Sequence, residues 1–411
     1  MAQMTAFQAA ICGHEVVLYA SSDSLIIPFT QAVAGHLNLS HTVSANGQSI
    51  TVKTEHGREG SVTLRSSGIP AIGYSDPDEQ AKNHALWHAF LADEAQNPYD
   101  IIHSHVREVT GSFLIPANLG HKTLTHEHTP RLGKDYADYQ YPVICISHNQ
   151  ARELKKKFNA QVFGVAYHGL DSFTHTATPE HAGYLAWIGR FLPDKGAHRA
   201  IEVARQAGTP LMIAGTIFER KPESQEHFDA DIAPHITLHD PNILDRFAKM
   251  DAQQIRAELQ QISKQYGTNA PIIFAGSASE PQKQALYGHA AATLFPIEWP
   301  EPFGRVMIES MACGTPVIAN AQVGKTHCGS VDEIINEGVS GYKIKAQDTA
   351  GSIMAMANAV AHIKDIDRNG VRAEFDKCWT SQRLARDLDG LYRKKLGLPE
   401  QHENTLHLKN G

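Results

Sequence analysis

The sequence lacks most of what would mark a disulfide-stapled, membrane-spanning or polyanion-binding chain. Its five cysteines, Cys12, Cys145, Cys313, Cys328 and Cys378, are odd in number and far apart, and none forms a CxxC pair. That spacing argues against a disulfide framework, a zinc knuckle and a redox couple, so the thiols read as reduced and mostly buried. No run approaches the roughly 18 apolar residues of a membrane span. No charged segment leads into an apolar one at the N-terminus, so a signal peptide is not expected. Positive charge is not in excess: 37 Lys and Arg stand against 44 Asp and Glu, a net charge of -7, which removes any global electrostatic case for nucleic acid. Internal repeats are missing too. The expectation is a soluble, cytoplasmic chain.

What is present is enough apolar residue, 42% of 411, to fill two domains at roughly 100–200 residues each. Short β-branched runs alternate with helical periodicity, the pattern of parallel sheets covered by helices, so the fold class is α/β with two Rossmann-like domains. Strands are expected at Glu15–Ala20, Ile101–His105, Lys122–His126, Val143–Ser147 and Phe163–Tyr167, with Ile50–Glu55 and Ser61–Ser67 as an inserted hairpin. A second set follows at Tyr184–Gly189, Pro210–Gly215, Pro271–Ala275, Ala292–Pro296, Pro316–Ala319 and Gly341–Ile344. The polar stretch Asp171–Ala182 reads as the linker, giving domains over 1–175 and 176–380. Residues 219–269 interrupt the rhythm and read as an insertion, with a helix over Ala252–Tyr266. A last helix within 381–398 is expected to pack back toward the first domain, and 399–411 reads as a disordered tail.

The most specific stretch is Glu298–Ala319, EWPEPFGRVMIESMACGTPVIA. Val306, Met307 and Met311 are spaced for one apolar helix face, and Gly314 with Pro316 ends the helix. Its start therefore lies at Pro302–Arg305. Unpaired N–H groups there, with the helix dipole, make a phosphate site, and Gly304 lets the backbone approach closely. Glu301 precedes the helix and Glu309 lies about two turns inside it, so one carboxylate can hold a sugar and the other a ribose. Taken singly, each glutamate is equally well a solvated acidic residue.

These residues, EPFGRVMIESMACGTPVIA, resemble the E-x7-E signature of the family 4 retaining glycosyltransferases, enzymes of GT-B architecture. YLAWIGRFLPDKG (Tyr184–Gly196) is similar to that family's strand, Gly-Arg and Lys-Gly turn, which implies that Arg190 and Lys195 grip the donor diphosphate. Looser likenesses fall in the family's order at GHEVVLYASSDS, YDIIHSH, KTLTHEH, VICISHNQARELKKKF, AYHGLD and GSVDEII, so the resemblance covers residues 13–400 apart from the insertion. It implies Glu301, His126, Arg190 and Lys195 as catalytic residues. It also implies Arg190, Lys195, Pro302, Phe303, Gly304, Arg305 and Glu309 as the donor-binding set. The implied reaction moves a hexose from a nucleotide sugar such as UDP-glucose or GDP-mannose to a sugar, lipid or small-molecule acceptor, with no metal or other cofactor. A catalytically impaired nucleotide-sugar-binding protein and a sugar-nucleotide epimerase are the alternatives.

His126 matches the family histidine that reaches toward the donor sugar, although Glu127 and His128 follow it where the family has a small residue. His126 with His128, and His103 with His105, alternate along neighbouring strands, so each pair can share a face. That invites a metal-site reading, which neither zinc-protease spacing nor a cysteine partner supports. Otherwise they are strand-end histidines at a polar cleft. Lys155–Lys157 beside Arg152 reads as a solvated helix face, with peripheral contact to an anionic lipid acceptor or membrane as its rival. The family begins with a strand and a glycine-rich loop, whereas here a helix with Met4, Phe7 and Ile11 on one face opens the chain. The resemblance therefore implies an incomplete N-terminal domain that lacks its first strand.

Overall fold

The structure, a computed structural model, describes residues 6–20, 24–66, 79–105, 117–129, 142–219 and 221–399. Met4 and residues 400–411, named above, lie outside them. The chain divides into two compact units, 1–171 with 380–410, and 172–379. Both are α/β, with helices packed on largely parallel sheets.

In the first unit a helical turn, Gln8–Cys12, leads into β1 (Glu15–Ala20). After helix Ile26–His36 come β2 (His41–Val43), β3 (Ser49–Lys53) and β4 (Glu59–Ser66). The segment read as an inserted hairpin is more than an appendage. β3 and β4 do pair antiparallel, but β4 also runs parallel to β1 in register from Glu15↔Ser61 to Ala20↔Ser66. The hairpin thus supplies β1 with its neighbour, in the order β1-β4-β3-β2. Helix Glu79–Gln96 follows, and then a second, wholly parallel sheet, β5 (Ile102–Ser104), β6 (Thr123–Glu127), β7 (Val143–Cys145) and β8 (Val162–Val165), in sequence order. Among the described residues no ladder joins β1 to β5. Side chains link the two regions instead: the Tyr19 hydroxyl meets Asp93 at 2.6 Å and the Tyr99 hydroxyl at 2.9 Å.

The helix Ser381–Leu396 covers this second sheet. Thr380 caps it and Gly397, at φ 69°, ends it. Its stripe of Leu384, Leu388 and Tyr392 packs on Leu124, Ile144 and Ala166, a period-3.6 face meeting a period-2 face. Gln8 donates to the Ala385 carbonyl at 2.7 Å and His14 pairs with Asp389 at 2.7 Å, tying the N-terminal turn to the same helix.

The second unit holds one eight-stranded sheet: β9 (Tyr184–Arg190), β10 (Leu211–Thr216), β11 (Leu238–His239), β12 (Ile272–Phe274), β13 (Ala290–Phe295), β14 (Val317–Val323), β15 (Thr326–His327) and β16 (Gly341–Ala346). The order is β11-β12-β10-β9-β13-β14-β15, with β16 also on β14, and only β15 runs antiparallel. Residues 219–269 contribute β11 to the sheet edge and helices to the core. Helix Ala252–Tyr266 starts at an Asp251 capping box and buries Ile255, Leu259 and Ile262 against Tyr184, Met212, Ile243 and Phe247. On the other flank a buried guanidinium, Arg368, donates to the carbonyls of Thr178, Gly288 and Ala290 and to the Thr315 hydroxyl. Burial pulls its pKa down to about 10, and four acceptors are what make such a buried cation tolerable.

Candidate active site

The carboxyl ends of the strands are where parallel α/β sheets bind ligands. In the second unit β9 and β13 run side by side there. The chain leaving β9 makes the turn Pro193–Lys195, and the chain leaving β13 makes the loop 296–304 before helix Arg305–Ala312. Lys195 Nζ meets Glu301 Oε2 at 2.5 Å, with both side chains less than one-fifth exposed. The ammonium also lies 4.4 Å from the centroid of the Trp299 ring, a cation–π contact that holds it over the loop. Trp187 Nε1 donates to the Lys195 carbonyl at 3.2 Å and fixes the turn from beneath.

The backbone of the loop is held as closely as its side chains. Gly304 sits at φ 81° as the residue before the helix, and a Cβ there would stand 2.8 Å from the Met307 methyl and 2.9 Å from the Phe295 ring. At Gly329, φ 77°, a Cβ would fall 2.0 Å from the Glu301 carbonyl oxygen. Only glycine permits that approach. Beside it Ser330 N–H donates to the Glu301 carbonyl at 3.2 Å and Ser330 Oγ to the Phe303 carbonyl at 2.6 Å. Arg199, 7% exposed, donates to the carbonyls of Pro296 at 2.7 Å and Pro193 at 3.1 Å, joining the two loops from below. Gly329, Ser330 and Arg199 were not singled out from the sequence. A buried arginine and a positive φ leave no periodic mark, and only the glycine of GSVDEII hinted at a turn.

The remaining members of the expected set fall in three places. Pro302, Phe303 and Gly304 are buried in the loop, and Arg305 is exposed at the first helical turn. Glu309 is 4% exposed and already engaged: the Tyr287 hydroxyl donates to it at 3.1 Å, and Arg305 lies 3.4 Å away. Burial, with the Glu309 carboxylate beside it, pushes the Tyr287 phenol well above its ordinary range, so it stays a donor. Arg190 ends β9 exposed, its guanidinium 4.6 Å from the Phe218 ring centroid. Among the described residues no ion pair joins it to Glu301. His126 belongs to the first unit, where it is 3% exposed within a stack of imidazoles.

The second-unit residues together offer a carboxylate, an ammonium and the donor end of a helix within one loop system, a set that can bind hydroxyls and an anion side by side. Burial pushes the nearby Cys313 and Cys328 thiols up to about 12, which leaves them as inert packing. On the first unit, Lys157 of the three-lysine run pairs with Glu153 at 2.7 Å on helix His148–Phe158. Among the described residues no helix is long and apolar enough to cross a membrane.

Comparison with known proteins bears on the same unit. Residues 172–369 match the family model described as "Glycosyl transferases group 1". The chain is 25% identical over 239 residues to a D-inositol 3-phosphate glycosyltransferase of Corynebacterium urealyticum, covering 54% of this chain and 52% of that one. It is 25% identical over 181 residues to a lipopolysaccharide 1,2-N-acetylglucosaminetransferase of Salmonella typhimurium, covering 43% and 38%. It therefore spans about half or less of the length of these curated relatives. Among solved structures, Anabaena HepE in complex with UDP-glucose is similar at a TM-score of 0.53 and 14% identity over 94% of both chains. The chain thus has the two-unit α/β fold of the GT-B glycosyltransferases, and its second unit carries the match to glycosyl transferases group 1.

Proposed function

We propose that the protein is a retaining hexosyltransferase that takes its sugar from a nucleoside-diphosphate donor held by the second unit. The observation that carries this reading is the contact of Lys195 with Glu301 beside the start of helix Arg305–Ala312. One group is suited to phosphate oxygens and the other to sugar hydroxyls, and they stand one hydrogen bond apart. A ligand that joins a sugar to a diphosphate presents both chemistries at that spacing.

In this reading Glu301 accepts hydrogen bonds from the hexose hydroxyls and sets the ring's orientation. Lys195, Arg190 and the N–H groups around Gly304 and Arg305 stabilise the negative charge that grows on the departing diphosphate. The anomeric carbon–oxygen bond to phosphate breaks as the acceptor oxygen bonds to the same face of that carbon. The departing phosphate oxygen takes the acceptor's proton, so the chain supplies no nucleophile and the step routes through no metal. Glu309, braced by Tyr287 and Arg305, is assigned to the ribose. The glycosyltransferase activities of the relatives, and the UDP-glucose in the HepE complex, favour a nucleotide-hexose donor and a hydroxyl acceptor.

The test is turnover with a panel of UDP-, GDP- and ADP-hexoses and simple sugar acceptors, followed by nucleoside diphosphate release and by proton NMR of the product's anomeric centre. Release from one donor, product with the donor's anomeric configuration, and loss of both in Glu301→Gln are the expected results. An inverted product would refute the retaining step, and release equal in Glu301→Gln would refute the site.

A further inference from the structure

The first unit holds a cluster that the donor chemistry leaves unused. β5 and β6 run parallel with His103 opposite Leu124. His103 and His105 therefore share one face of β5 and its continuation, and His126 and His128 share the adjoining face of β6 and its continuation. This is the face on which Tyr392 packs. The imidazoles stack: ring centroids lie 4.4 Å apart for His103 and His105, and 5.3 Å from each of these to His126. His128 stacks on His126 at 4.4 Å, and His168, just past β8, stacks on His128 at 5.2 Å. All five stand at the carboxyl ends of parallel strands, the ligand-binding end of such a sheet.

Their hydrogen bonds are lopsided in an informative way. His103 uses Nδ1 toward the Tyr392 hydroxyl, and His105 uses Nδ1 toward His128 Nε2 at 2.8 Å. The Nε2 atoms of both are buried with no hydrogen-bond partner among the described residues, and so are both ring nitrogens of His126. Buried imidazole nitrogens without partners are costly. One nitrogen tied to an outer partner and the other left as a bare lone pair is the arrangement that metal-ligating histidines adopt. The candidate ligand atoms of His103, His105 and His126 lie within 4.8 Å of one another. Zinc bonds of about 2.0–2.1 Å in a tetrahedron put nitrogen ligands about 3.3–3.4 Å apart, so the three side chains rotate out of their stack to close on an ion.

We propose that His103, His105 and His126 form a binding site for a borderline divalent transition metal ion of the Zn2+ class, with Tyr392 and His128 orienting two of the ligands. Three imidazoles leave a fourth position to a water or a ligand oxygen, the coordination of an open rather than a closed site. The inference concerns the first unit alone and does not depend on the donor reading.

The experiment titrates the full chain, stripped of metal with a chelator, with Co2+, follows the visible d–d absorption, and then displaces Co2+ with Zn2+. One equivalent with a four-coordinate spectrum is expected. Affinity should fall at least about 100-fold in both His105→Asn and His126→Asn, since losing even an outer partner costs about 10–100-fold. Cys12→Ser, in the other group Cys12, His14 and Asp389, should leave it unchanged. Tyr392→Phe keeps all three ligands and guards against variants that fail to fold; about 10–100-fold weaker binding is expected there. No saturable one-equivalent binding, binding unchanged in the His105 and His126 variants, or binding lost with Cys12→Ser would overturn the proposal.

Discussion

The two units place their polar side chains at the carboxyl ends of parallel strands by opposite means. In the second unit the groups are charged and already paired: Lys195 with Glu301, and Glu309 with Arg305 and Tyr287. In the first unit the groups are imidazoles stacked on one another, and three of them carry nitrogens with no hydrogen-bond partner among the described residues. A charged pair can exchange its partner for the phosphate and hydroxyls of an incoming ligand at modest cost, because each group is satisfied before and after. The free ring nitrogens of the imidazoles have no such resting partner among the described residues, and a cation that accepts several lone pairs at once satisfies them together. The difference predicts that the two regions answer to different ligands and to different substitutions.

Removing one half of the second unit's pair has the largest expected effect. Lys195→Ala should lower the turnover of a nucleotide-sugar donor about 10²–10³-fold, the usual loss when one stabilising donor is removed from a developing anion, while the Co2+ spectrum of the first unit stays intact. Steady-state kinetics and the metal titration on the same preparation check both halves. A fall in both would mean that the two regions are not independent.

Next in size is the backbone clamp. Gly329→Ala forces a Cβ to 2.0 Å from the Glu301 carbonyl at a φ of 77°. Non-glycine residues at such φ cost about 1–3 kcal/mol before any clash, so a total near 3 kcal/mol is expected. At about 2–4 °C per kcal/mol for a domain of this size, the melting transition of the second unit should drop by about 6–12 °C. Donor KM should rise with it as the Glu301 loop shifts, and scanning calorimetry with a donor titration reads both.

Sequence alone reached much of this fold, where local chemistry decides the outcome. The helix at Ala252–Tyr266 was legible to the residue from the spacing of Ile255, Leu259 and Ile262, and the structure adds the Asp251–Gln254 capping box and Gly267 that bound it. The helix beginning at Arg305 was bracketed between a start at Pro302–Arg305 and an end at Gly314 with Pro316. The edge strands β2, β11 and β15 were missed, since two or three residues are too few to show a period. The hairpin β3–β4 was recognised as a hairpin, but its parallel pairing with β1 depends on contacts distant in sequence and leaves no local trace. The alternating His103, His105, His126 and His128 were visible as pairs. That Tyr392, some 290 residues away in sequence, holds one of them was not.

The smallest expected effect belongs to the capping box itself. Asp251→Ala removes one acceptor from Gln254 N–H and should cost about 1 kcal/mol, a shift of about 2–4 °C in the second unit's melting transition. The first unit and its metal titration should not respond. Segmental unfolding followed by hydrogen exchange would show whether the loss stays within residues 172–379.

Donor binding by the second unit is decided by calorimetric titration of UDP, GDP and ADP into the wild-type chain and into Lys195→Ala. The account predicts that one nucleoside diphosphate binds at a single site and that its affinity falls at least about 10-fold in the variant, as loss of a charge-assisted contact worth about 1.5–3 kcal/mol requires. Equal affinity in the two proteins, or no binding of any of the three, would contradict it.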